Sequence, residues 1–149
     1  MNEKDKKLFL DEIKPQNENY LAYVWGTIMA DAKALVTASG ISLLIGSVGA
    51  ALGALSNEYC YIGLTENYLA FVVVGSINVK QVKYRFVIKL SDVKSVKVKR
   101  NKLLGRTVIS FNHGEGKMKL SLVNNTIGSD MVGQREGVEL ISNVIENLL

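Results

Sequence analysis

Chemistry in this chain would have to come from very few side chains. It has one histidine, His113, and one cysteine, Cys60, among 149 residues. His113 stands in His113-Gly114-Glu115-Gly116, a run that reads as a hairpin turn, so a turn residue is the simpler reading than a general base. Cys60 lies in an apolar, strand-like context and reads as a small buried hydrophobe rather than a reactive thiol. One His and one Cys cannot supply a zinc site of ordinary composition from a single chain. There is no phosphate-binding loop, nucleophile elbow or dinucleotide fingerprint. Glu115 and the sparse acids lack the pairing of glycosidase carboxylates. Asp92, in Lys-Leu-Ser-Asp-Val-Lys-Ser, reads as a strand-corner residue that caps backbone N–H groups. These residues imply a non-enzymatic chain and call for no cofactor or metal.

The cations are more telling. Val79 to Arg106 holds ten of them against Asp92 alone, a local charge of +9 that leaves −5 on the rest of the chain. Such a field steers an anionic partner. The candidate binding residues are Lys80, Lys83, Lys99, Arg100, Lys102 and Arg106. The competing reading is a solvated face, because lysines also deter edge pairing of strands. Nucleic acid is the weaker choice of partner, since the aromatics alternate inward and offer no stacking platform.

The second signal is Ala34 to Asn57, twenty-four residues without a charge. As a helix this run is long enough to cross a bilayer. It carries two seams. Ser39, Ser42, Gly46, Gly49, Gly53 and Ser56 permit close approach of another helix, and Ile41, Ile45, Val48, Leu52 and Leu55 form apolar ridges. A helix with no charged face must be buried somewhere. The candidate helix-packing or membrane-contact residues are Gly46, Gly49, Gly53, Ile45, Val48 and Leu52. A simple span would strand Tyr20–Ile28 on the far side of the membrane from the other strands. Packing on the domain, self-association into a homo-oligomer, or contact with a membrane without crossing remain.

The elements that must position these groups follow from periodicity. A charged segment, 1–18, holds Leu8, Phe9, Leu10 and Ile13 in a short helix before Pro15. Tyr20–Ile28 reads as a strand, and 31–57 as an apolar helical insertion. Tyr59–Leu64 and Tyr68–Val74 are strands. Val82, Tyr84, Phe86 and Ile88 alternate with Lys83, Arg85, Val87 and Lys89. Val96 and Val98 alternate with Lys97 and Lys99, Ile109 and Phe111 face inward on Arg106–Asn112, and Met118, Leu120 and Leu122 alternate with Lys117, Lys119 and Ser121. Residues 131–148 return to helical spacing through Val138, Ile141, Val144, Ile145 and Leu148. The N-terminus has no signal-peptide core and a lone cysteine suits a reducing compartment, so a cytoplasmic chain, peripheral at the membrane, is expected.

Seven antiparallel strands closed by a C-terminal amphipathic helix form a mainly β, α+β architecture. The segments YIGLTENYLAFV, VIKLSDVKSVKVKRNKLLGRTVISF and VELISNVIENLL resemble the uncharacterised bacterial pleckstrin-homology-like domains, which are related to GRAM domains. The resemblance spans roughly Tyr59–Leu149, with Tyr20–Ile28 as first strand. It implies a seven-stranded barrel and says little about function, and the absence of a repeat or a flexible linker makes 1–149 one domain. Its motifs specify strand corners and core positions, none of them catalytic. Lipid-binding members hold phosphoinositides with cations around the first connection. Here that connection is uncharged apart from Lys33. In a simple meander, the connections after strands one, three and five share an end. The apolar stretch would then emerge ringed by Lys80, Lys83, Lys99, Arg100, Lys102 and Arg106, with Leu103 and Leu104 nearby. That arrangement suits an anionic membrane surface. The other reading is a protein-interaction scaffold that self-associates through the small-residue seam.

Overall fold

The computed structural model describes residues 1–29, 58–113, 116–125 and 129–148. The helical insertion expected at 31–57 lies outside them. Helix α1 (Glu3–Asp11) is followed by β1 (Ala22–Ile28), β2 (Glu58–Leu64), β3 (Tyr68–Val74), β4 (Val82–Lys89), β5 (Val93–Asn101), β6 (Arg106–His113), β7 (Gly116–Val123) and helix α2 (Gln134–Glu146). Each strand falls within a few residues of the segment expected for it, and α2 occupies the centre of the expected 131–148 segment.

The strands form one antiparallel sheet in the order β4-β3-β2-β1-β7-β6-β5. A closed barrel is not formed, because β4 and β5 are the two edges. Seven strands cannot alternate direction all the way round a ring. With β1 antiparallel to both β2 and β7, β4 and β5 run in the same sense, and a single 3-10 turn at Leu90–Asp92 joins them. The sheet curls around one core that includes Val24, Ile62, Phe71, Phe86, Ile109, Phe111 and Leu120, all fully buried. Phe71 and Phe86 stack at 4.8 Å between ring centroids.

Helix α2 fills the open side with Val138, Ile141 and Ile145. Close approach to β1 requires glycine at Gly137, where a Cβ would sit 2.5 Å from Val24 Cγ1. β1 pairs with β7 only from Gly26 to Ile28. Where the two strands part, the buried Gln134 amide takes over their backbone groups. It accepts from Trp25 N–H at 3.0 Å and donates to the carbonyls of Trp25 and Val123 at 2.9 and 2.8 Å. That satisfies polar groups that would otherwise be costly to bury.

Helix α1 covers the outer face of β2 and β3. Asn2 caps it, its side-chain oxygen accepting from Asp5 N–H at 2.8 Å. Leu10 and Ile13 pack on Tyr61, Ala70, Val72 and Val74. β2 and β3 are thus buried on both faces, which explains their near-continuous apolar sequence. The Tyr20 hydroxyl donates to Leu10 carbonyl at 2.7 Å, and the ring lies against Gly63, where no Cβ would fit.

Candidate functional site

With α1 over one half of the sheet, no element among the described residues covers the outer face of β5, β6 and β7. Its composition follows from one backbone irregularity. Lys94 pairs with Asn112 and Lys97 with Ser110, three residues on β5 against two on β6. The extra residue is a bulge at Ser95, which adopts φ 54°. The bulge resets the alternation, so Val93, Val96 and Val98 all point to the core while Lys97 and Lys99 point out. On β7, Lys117 and Lys119 share that outer face opposite the buried Met118 and Leu120.

Across the three strands every one of these cations is opposite an uncharged residue. Lys97 and Lys119 flank Ser110, Lys99 faces Val108, Lys117 faces Asn112, and Arg106 lies between Asn101 and Val123. Interleaving avoids the penalty for like charges in direct cross-strand contact and lets five cations share one small face. Strand spacing puts the Lys97 and Lys119 backbones about 10 Å apart. Among the described residues none of the five is in an ion pair with a carboxylate. Arg106 is held flat: its Nε donates to Ser121 Oγ at 2.6 Å and its Nη2 to Met29 Sδ at 3.9 Å.

Met29 continues β1 along this face, its N–H donating to the Lys119 carbonyl at 2.8 Å. Met29, the last described residue before Glu58, thus stands at the margin of the cationic surface. An open depression of about 610 Å³ is lined by Met29, Lys97, Lys99, Leu104, Arg106 and Lys119, among others.

The expected cation rim is redrawn. The connection after β3 does lie beside the exit of β1, since Ile28 pairs with Glu58 and Tyr59 with Val74. The connection after β5 does not, because Arg106 pairs with Val123 whereas Ile28 pairs with Leu120. The antiparallel β1–β7 ladder puts the β6–β7 hairpin at that end instead. Lys80 is exposed on the β3–β4 loop, and Lys83 is committed to Glu58 at 2.7 Å. Arg100 points to α2, with Nη2 donating to Glu146 at 2.7 Å and Asn143 at 3.0 Å. Its hydrogen bonds hold the Glu146 carboxyl below the usual range. Lys99 and Arg106 are brought together, with Lys102 exposed in the adjoining turn. Lys97, Lys117 and Lys119 join them, and Lys94, exposed opposite Asn112 before the bulge, borders the face. Their signal was the shared parity of Lys117 and Lys119, which needs the β5–β7 register to become a patch. Gly46, Gly49, Gly53, Ile45, Val48 and Leu52 lie outside the described residues.

His113 ends β6 rather than standing in the turn. It is buried, with Nε2 3.8 Å from Asp92 Oδ2. Asp92 lies in the 3-10 turn, where its Oδ1 accepts from Ser91 Oγ at 3.3 Å. Burial pushes the imidazole below its ordinary value of 6.5, and Asp92 offsets this only in part. The unfolded chain therefore takes up this proton first as pH falls. Stability should hold above about pH 6.5 and decline below it. The Glu3, Glu18 and Glu146 carboxyls are held below 4.5, so their contribution is lost at lower pH. Melting curves from pH 7.5 to 5.5 should show the decline in the wild type and a weaker one in His113→Gln. An equal decline in both would assign it elsewhere. Cys60 is fully buried, its Sγ donating to Gly26 carbonyl at 3.7 Å, and burial raises its pKa, as its apolar setting implied.

The chain matches no family model, and no curated protein matches it in sequence. Among the described residues, no helix is long and apolar enough to cross a membrane.

Proposed function

We propose that this protein is a non-enzymatic, pleckstrin-homology-like binding module of the cytoplasm that docks peripherally on an anionic membrane surface. The observation that carries this is the outer face of Lys97, Lys99, Arg106, Lys117 and Lys119, which among the described residues has no covering element and no ion-paired carboxylate and is bordered by Met29. Each cation near an anionic bilayer contributes about 1 kcal/mol, so five in one plane give useful affinity without a head-group pocket. The charge-free run Ala34–Asn57, which begins five residues after Met29, would add the apolar hold that cations alone lack. The outward residues of β5–β7 are Lys, Arg, Asn, Ser and Val with no aromatic, which disfavours base stacking and so single-stranded nucleic acid.

The test is co-sedimentation with vesicles of phosphatidylserine and phosphatidylcholine, against phosphatidylcholine alone. Binding to the anionic vesicles that weakens steeply with salt is expected. Absence of binding, or equal binding to both compositions, would overturn the reading.

A further inference from the structure

The cationic face ends in a turn that does not resemble the rest of it. Leu103 is 94% exposed and Leu104 68%, consecutive large apolar side chains at the tip of the β5–β6 connection. Side by side, they form a small contiguous apolar tip, unlike the singly scattered surface hydrophobes that need no explanation. The turn is nevertheless firmly built. Leu104 N–H donates to Asn101 Oδ1 at 3.0 Å, Gly105 N–H to the Lys102 carbonyl at 3.4 Å, and Asn124 N–H to the Gly105 carbonyl at 2.8 Å. Gly105 turns the chain at φ 54°, where a β-carbon would be strained. The leucines are presented by a preformed loop, so little ordering cost remains when they are buried.

We propose that this turn is a membrane wedge: Leu103 and Leu104 enter the acyl boundary of an anionic bilayer while Lys102, Lys99 and Arg106 stay at head-group level. The inference rests on the docking reading above and adds the segment that penetrates. Leu104 borders the same depression as Lys97, Lys99 and Lys119, so apolar tip and cations can meet one surface together. Apolar insertion rimmed by cations is the combination that interfacial binding needs. Ile77 is equally exposed, but it sits on the β3–β4 loop beside Lys80 rather than on this face.

An environment-sensitive dye on Leu103→Cys reports insertion directly. Cys60 is fully buried, so labelling is confined to the new thiol. The vesicles contain equimolar phosphatidylserine and phosphatidylcholine, with and without doxyl groups on the acyl chains. Binding should shift the emission to the blue, and doxyl lipid should quench it. The same dye on Gln16→Cys, exposed on the segment after α1, should do neither. Leu103→Ser with Leu104→Ser should lower vesicle affinity about 10- to 100-fold, the loss of two partly buried leucines, with the melting temperature unchanged. If the protein sediments with vesicles while the label at 103 stays unquenched, or if the double serine variant binds like wild type, the wedge is wrong and docking stands. If the wild type does not sediment at all, both fall.

Discussion

Replacing Lys97, Lys99 and Lys119 together by glutamate should abolish vesicle binding, with affinity falling at least 100-fold. At about 1 kcal/mol per cation, loss of three attractions alone corresponds to a factor near 150, and the new carboxylates add repulsion. The three sites are outward, on strands whose inner faces already carry the core, so the variant should fold normally. Arg100→Gln is the comparison that makes the result specific. Arg100 is adjacent to Lys99 in sequence yet turns to Glu146 and Asn143 on α2. Its loss should leave vesicle affinity within about threefold, since its charge is already met by a carboxylate. Equal losses for Arg100→Gln and for Lys99→Glu alone would mean that diffuse net charge, not this face, drives association. The readout is sedimentation at fixed salt, with circular dichroism to verify folding.

The second large effect concerns stability. Lys6 is 1% exposed although it lies on a short helix near the N-terminus. Its Nζ pairs with Glu3 at 2.8 Å and donates to the carbonyls of Val132 and Tyr23 at 3.2 and 3.3 Å. Burial acts to raise the Glu3 carboxyl. The hydrogen bonds from Lys6 and from Val132 N–H outweigh it and hold the group below its usual range. One ammonium thus ties α1 to β1 and to the segment before α2. Lys6→Met keeps the apolar stem and removes the charge, leaving two carbonyls and a carboxylate short of a donor. The expected cost is about 2–3 kcal/mol, a drop in melting temperature of roughly 5–10 °C for a chain of this size. Vesicle affinity measured well below that temperature should not change, because Lys6 is remote from β5–β7. A melting temperature within 1–2 °C of wild type would mean that Lys6 is incidental.

Much of the fold was legible in the residues themselves. Val82–Lys89 alternates so strictly that only a strand with one buried face accounts for it, and Val138, Ile141 and Ile145 recur at a spacing that only a helix satisfies. The candidate site was legible in charge but not in geometry. The ten-cation window mixes side chains that point three ways: Lys83 to Glu58, Arg100 to α2, and Lys99 to solvent. Pairing register decides among them, and register is not local. Lys97 and Lys99 were legible as the outward partners of Val96 and Val98, but the Ser95 bulge that lets Val93 share their inner face reads as ordinary strand sequence. Lys6 and Gln134 look like surface residues. Their burial depends on tertiary partners more than a hundred residues away, at Val132 and at Trp25 respectively. The shared end assumed for the first, third and fifth connections failed for a global reason. The β1–β7 ladder leaves an odd number of strands with a break between β4 and β5.

The uneven covering of the two halves of the sheet makes the molecule an electric dipole. Residues 1–18 are close to neutral, with Glu3, Asp5, Asp11, Glu12 and Glu18 set among Lys4, Lys6, Lys7 and Lys14, whereas β5, β6 and β7 carry seven cations and no carboxylate. The bare lysines lie on the outer face turned away from α1. A negatively charged plane therefore exerts a torque on the whole domain before any contact forms, rotating it lysine face first within about 10 Å, the reach of the field at ordinary salt. The gain is kinetic. A molecule that arrives already oriented wastes few encounters, so the segregation of charge should govern how fast the protein lands as much as how long it stays.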